Sequence, residues 1–249
     1  MSRYNAPIDF SVGDVITSKS CGDFIVTENN SSRDVSVKFV NTGTEIRGLQ
    51  RGNVIRGAVH DHMYPSVEGV GFIGKPKSEV CSRSVCYDRW KKMVVRCYSE
   101  NYHSTRESYK DCTVCDEWLN YSNFEVWFND NYVTGYDLDK DLLVQGNRVY
   151  SPDTCSFVPP QLNTWIVEKN KGDCEMGVSR RRHKRTKEFN GLFNVTFGGK
   201  YLGRFNDKLV AEDRYREFKK LFFEEYADLL ESKGMLTAIQ AEALRTRKT

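Results

Sequence analysis

Between Val35 and Phe39 the chain alternates apolar Val35, Val37 and Phe39 with polar Ser36 and Lys38. That is the period of a strand with one buried face. Asn41-Thr42-Gly43 closes it, and glycines recur through residues 48–74, so residues 10–75 read as short strands and turns: a small barrel or curled sheet. Lys75-Pro76-Lys77 reads as its exit. The period then changes. Cys86, Trp90, Met93 and Cys97 step by four, three and four, which places them on one helical face. Trp118, Tyr121, Phe124 and Phe128 predict a second helix, with a polar loop over residues 98–110 between the two. After Gly135 the pattern is strand-like again at Leu142-Leu143-Val144, with a loop at Gly146-Asn147 and a return through Cys155-Ser156-Phe157-Val158. Pro159-Pro160 then opens a short helix carrying Asn163.

The last third alternates at Phe193, Val195 and Phe197, turns at Gly198-Gly199 and returns over residues 201–205. Asn206 or Asp207 can cap a following helix whose stripe is Ala211, Tyr215, Phe218, Phe222 and Leu229. The expected fold class is α+β. It comprises a glycine-rich β module (1–77), a central domain (78–172), a basic linker (173–187) and a last domain (188–249) with a small sheet on one helix.

Composition narrows this. The chain has 249 residues, 39% hydrophobic and 29% charged, the balance of a soluble globular protein. No run approaches the roughly 18 apolar residues of a membrane span, and Met1-Ser2-Arg3-Tyr4 opens no signal-peptide core. A cytoplasmic protein with no membrane partner is expected. Net charge is only +3, but Arg180, Arg181, Arg182, Lys184, Arg185 and Lys187 crowd one short stretch. Such a block attracts phosphate by counterion release; it reads equally as a solvated linker. Among eight cysteines, Cys112 and Cys115 form one CxxC with no second, and Cys81, Cys86, Cys97 and Cys155 are irregularly spaced. Reduced, buried thiols are expected rather than a structural zinc.

The middle segment resembles phage HNH-type endonucleases of the homing kind. The residues that carry the likeness are Trp90, Arg96-Cys97-Tyr98, Val114 to Trp118, Phe124 and Trp127, followed by Leu138-Asp139-Lys140-Asp141, Gly146-Asn147, Tyr150 to Cys155 and Gln161-Leu162-Asn163. The resemblance implies a ββα-metal motif that hydrolyses DNA phosphodiesters with Mg2+ or Mn2+. Asp139 and Asn163 would be ligands, Asp141 a further ligand, and Asn147 the amide that orients the attacking water. Lys140 stands where the family carries its general-base histidine, and Thr154 where an asparagine is usual. Lysine is protonated near neutral pH and suits a phosphate contact better than a base. Two readings follow: a metal-dependent endonuclease, or a catalytically inactive HNH scaffold that binds DNA. Asp139 and Asp141 could also simply cap a hairpin or form salt bridges. The four histidines, His60, His62, His103 and His183, read as surface residues.

Residues 188–249 resemble the Apetala-type DNA-binding domain, through Gly191 to Val195, Lys200 to Phe205, and Ala211, Tyr215 and Lys219. The resemblance implies a sheet laid in the major groove of double-stranded DNA. Asn194, Thr196, Lys200 and Arg204 would face the bases and phosphates.

Overall fold

The computed structural model describes residues 9–166 and 173–249. The reading of Met1 to Tyr4, and the end of the central segment at residue 172, lie outside the described residues. The fold is mixed α+β and divides into two compact units, Met1–Asp130 and Asn131–Thr249.

In the first unit, β1 (Val15–Thr17), β2 (Asp23–Ser31), β3 (Asp34–Phe39) and β4 (Glu45–Leu49) form an antiparallel meander in chain order. Phe24, Val26, Val35, Val37 and Phe39 are buried on one side. Ser36, expected to face water, is buried as well; its hydroxyl donates to Glu28 Oε2 at 2.8 Å, which removes the cost of burying it. β4 does not return to β1, so the sheet stays open: of the barrel and the curled sheet expected from the sequence, the barrel does not form. Four strands are too few to close into a barrel round a packed core. The short helix α1 (Arg51–Ile55) follows.

Helix α2 (Val85–Tyr98) is capped by Ser84, whose hydroxyl accepts from Tyr87 N. It buries Cys86, Trp90, Met93 and Cys97. After α3 (Glu100–His103) and the two-residue strand β5 (Thr113–Val114), the second predicted helix arrives in two pieces, α4 (Asp116–Leu119) and α5 (Tyr121–Asn131). Asn120 breaks it in an extended conformation, its amide oxygen accepting from Ser122 N at 2.9 Å and its backbone bridging Phe72. Trp118, Tyr121, Phe124 and Phe128 are nevertheless all buried.

The second unit begins with β6 (Asp137–Asp139), β7 (Val149–Tyr150) and β8 (Ser156–Val158), then α6 (Pro160–Ile166). β6 and β8 pair antiparallel, with Asp139 opposite Ser156. Leu142-Leu143-Val144 is not a strand, contrary to the periodicity. The Asp139 carboxylate takes the N–H groups of Asp141 and Leu142, which bends the chain out of the ladder, although Leu142 still reaches the core.

Next come β9 (Val178–Arg182), β10 (Phe189–Phe197) and β11 (Lys200–Phe205), in sheet order β11-β10-β9, then α7 (Lys208–Ser232) and α8 (Ala238–Arg245). Asp207 caps α7 by accepting from Val210 N. The stripe of α7 that is buried runs Ala211, Tyr215, Lys219, Phe223, Ala227 and Leu230. Leu229, placed on it from spacing, is exposed: steps of four followed by one of three bring Leu230 inward instead. Leu142, Val158, Leu162 and Ile166 share one buried cluster with Val195, Phe197, Phe223 and Leu244. Among the described residues, no helix is long and apolar enough to cross a membrane.

Candidate functional site

The hairpin brings four of the expected site residues together. Asp139 ends β6 only 6% exposed, with Oδ2 accepting from Asp141 N at 2.8 Å and Leu142 N at 2.5 Å. Burial raises its carboxyl above the usual range. The Leu142 N–H pulls it back, the Asp141 charge pushes it up again, and the Asp141 N–H and Arg247 lower it. Lys140 is equally enclosed, and its ammonium donates to Asp141 Oδ2 at 2.8 Å and to the Asn147 carbonyl at 2.6 Å. Asn147 returns the contact: Nδ2 donates to the carbonyls of Lys140 at 3.0 Å and Val149 at 2.6 Å, while Oδ1 accepts from Val149 N at 3.1 Å. Thr154 joins them, its hydroxyl donating to the same Val149 carbonyl at 2.8 Å. Cys155 is buried here, and desolvation pushes its thiol up to about 12.

Asn163 sits half-buried on α6, and no side-chain hydrogen bond joins it to this group among the described residues. Sequence reasoning missed Arg247. It is buried, and its guanidinium donates to Asp141 O at 2.7 Å and Ile166 O at 3.0 Å, joining the loop after β6 to the end of α6. Beside it the Gln145 amide exchanges two hydrogen bonds, both 3.0 Å, with the Lys248 backbone. A signal for the preceding helix was present: Thr237 and Gln240 form a capping box that starts α8.

These donors do not make a ready cage for Mg2+ or Mn2+. A hard divalent ion needs several oxygens, yet Lys140 holds one Asp141 oxygen and two backbone N–H groups hold one Asp139 oxygen. Among the described residues, no three or more His, Cys, Asp or Glu side chains group as a metal site. The eight cysteines are free thiols.

The sheet disposes its polar groups differently. Val178, Phe193, Val195 and Phe197 are buried, and strand alternation turns the intervening residues to the other face. Ser179, Asn194 and Arg204 lie in register there as one row across three strands, with Arg204 Nε donating to Asn194 Oδ1 at 3.2 Å. Thr196 pairs with Tyr201 on that face. Lys200 does not share it: paired with inward Phe197, it holds its ammonium over the Phe218 ring at 5.0 Å.

The basic block is not an irregular linker. Arg180, Arg181 and Arg182 stand in β9, and His183 to Lys187 turn the chain into β10. The backbone bonds His183 N to Glu188 O at 2.8 Å and Lys187 N to His183 O at 3.0 Å close the turn. Lys187 takes a positive φ of 61° there. Arg180 pairs with Asp173 and lays its guanidinium over Phe189 at 5.4 Å. Arg181, two positions beyond Ser179, shares the outward face beside Asn190, whose side-chain amide meets Arg181 with its oxygen and nitrogen exchanged.

Comparison of the chain with protein-family models, curated proteins and solved structures finds no match.

Proposed function

We propose that this protein binds double-stranded DNA through the outward face of the β9–β11 sheet, and that its HNH-like hairpin acts as a structural scaffold rather than a cutting centre. In this reading the β module, the central helices with their hairpin, and the last sheet with its helices are the parts of a phage-type DNA-binding protein. One observation carries it: Arg181, Arg182, Lys184, Arg185 and Lys187 crowd one short stretch and make no ion pair among the described residues, where their neighbour Arg180 is held by Asp173. Cations left with counterions only are those that phosphate displaces most favourably.

The competing reading, sequence-directed cleavage of homing type, draws on the Asn163 amide and the second oxygen of Asp139, which no hydrogen bond engages among the described residues. Two measurements on the full chain decide between them. Fluorescence anisotropy with a labelled duplex should give an affinity that falls steeply with salt. Incubation with supercoiled phage genomic or plasmid DNA in Mg2+ or Mn2+, against a chelator control, should leave the DNA uncut. Metal-dependent nicking would install the nuclease reading instead.

A further inference from the structure

The ribbon formed by β9 and β10 extends past the part of the sheet that α7 covers. Phe193, opposite Arg180, is the last buried residue toward the turn. Beyond it every residue from Arg182 to Gly191 is exposed. A bulge between Phe189 and Phe193 lets the distal end bend on its own. This end carries Arg182, His183, Lys184, Arg185 and Lys187 against a single acid, Glu188.

It is also built to hold a shape. Besides the two turn bonds, Arg182 Nη1 donates to the Lys187 carbonyl at 3.1 Å and Glu188 N donates to the Thr186 hydroxyl at 3.3 Å. Lys187 occupies a left-handed position that glycine or asparagine would take more cheaply, so a cation is kept at the expense of backbone comfort. A pre-shaped arm loses little freedom on binding.

Its reach decides what it meets. Arg185, at the apex, is six residues from Ser179 in the row Ser179–Asn194–Arg204. At ~3.3 Å per residue that separation is up to about 20 Å, against a major groove about 12 Å wide. When the row lies over one groove and the ribbon runs across it, the apex reaches past the groove's edge to a phosphate backbone. A duplex fits better than a single strand. Single-strand binders offer several open aromatic platforms, whereas the outward face offers Tyr201, and Phe189 is capped by Arg180 and packed on Phe193.

We infer that the His183–Lys187 tip is a separate arm that grips duplex phosphates flanking the sheet's own contact and is indifferent to sequence. The inference rests on the DNA-binding reading above. It is tested in the full chain by combining Lys184→Ser, Arg185→Ser and Lys187→Asn, the last chosen because asparagine tolerates the left-handed turn. Kd is measured across a salt series on 40-base-pair duplexes of random sequence, and the sequences enriched from that pool by parent and variant are compared. The slope of log K against log salt should fall in magnitude by about 2.7, at ~0.9 per phosphate contact, with the enriched sequences unchanged. Asn194→Ala should do the reverse, altering the enriched sequences and leaving the slope alone. An unchanged slope in the triple variant, a shift in its enriched sequences, or tighter binding of parent to single-stranded DNA or RNA would overturn the arm. Failure of the parent to bind any duplex would instead remove the DNA-binding reading, and the arm with it.

Discussion

Lysine stands both in the hairpin at Asp139 and in the ribbon beyond Arg182, and the two regions dispose of it in opposite ways. In the hairpin, Lys140 is spent on Asp141 and the Asn147 carbonyl, Asn147 on three backbone groups, and one Asp139 oxygen on two N–H groups. In the ribbon, Lys184, Arg185 and Lys187 stand in water with no ion pair among the described residues. A phosphate approaching Lys140 would have to break an enclosed ion pair and leave Asp141 uncompensated; one approaching Lys184 displaces only mobile ions. The lesson is that a charged residue is marked for a partner by what it has left to give, which residue type alone does not reveal.

The comparison breaks most visibly in DNA affinity. Replacing Arg181, Arg182, Lys184, Arg185 and Lys187 with serine should weaken duplex binding by on the order of a hundredfold or more at moderate salt, whereas Lys140→Met should change it less than about threefold. Equal losses in an anisotropy titration would show that the hairpin, too, faces the nucleic acid.

Stability should answer in the opposite sense. Arg247→Ala removes the donor shared by Asp141 O and Ile166 O, at a cost of about 2–4 kcal/mol in denaturant unfolding. Hydrogen exchange should quicken at residues 141–148. Lys140→Met should cost about 1–3 kcal/mol, less than a fully enclosed pair because Asp141 keeps 31% of its side-chain surface exposed. Single ribbon substitutions should stay within about 0.5 kcal/mol. A ribbon variant that unfolds like Arg247→Ala would mean the tip is structural.

Much of this architecture was legible in the sequence, for definite reasons. Cys86 to Cys97 and Phe193 to Phe197 announce a helix and a strand because burial on one face leaves a period. Asp139 was legible as a polar residue at a strand end, and capping a hairpin was one of its open readings. Other features leave no such trace. The split at Asn120 depends on a backbone bridge to Phe72, and Arg247 acts 106 residues from Asp141. Lys219 interrupts an apolar stripe while buried, its ammonium over the Phe223 ring at 5.4 Å. The basic block looked linker-like because charge hides alternation. Only pairing with β10 makes Arg180 to Arg182 a strand.

The smallest expected effect is in pH dependence. Asp139 has a raised carboxyl in the folded chain, so the unfolded chain gives up that proton first. Its contribution to stability is present at acid pH and is lost as pH rises from the ordinary carboxylate range through the raised value. The stability of the parent relative to Asp139→Asn should therefore decline across that window and level off above it. A difference that instead grows with pH would mean that the N–H bonds and Arg247 outweigh burial, leaving a charged carboxylate favoured in the fold.

Arg247 also sets an order of events during synthesis. At ~5–20 residues per second, the 106 residues that separate it from Asp141 take roughly 5–20 s to make. For that interval the nascent hairpin carries Asp139, Lys140 and Asp141 without the guanidinium that later joins their loop to α6. Until then Lys140, Asp141 and Asn147 have only one another nearby in the chain to bond, and the tie between their loop and α6 becomes available when Arg247 is made.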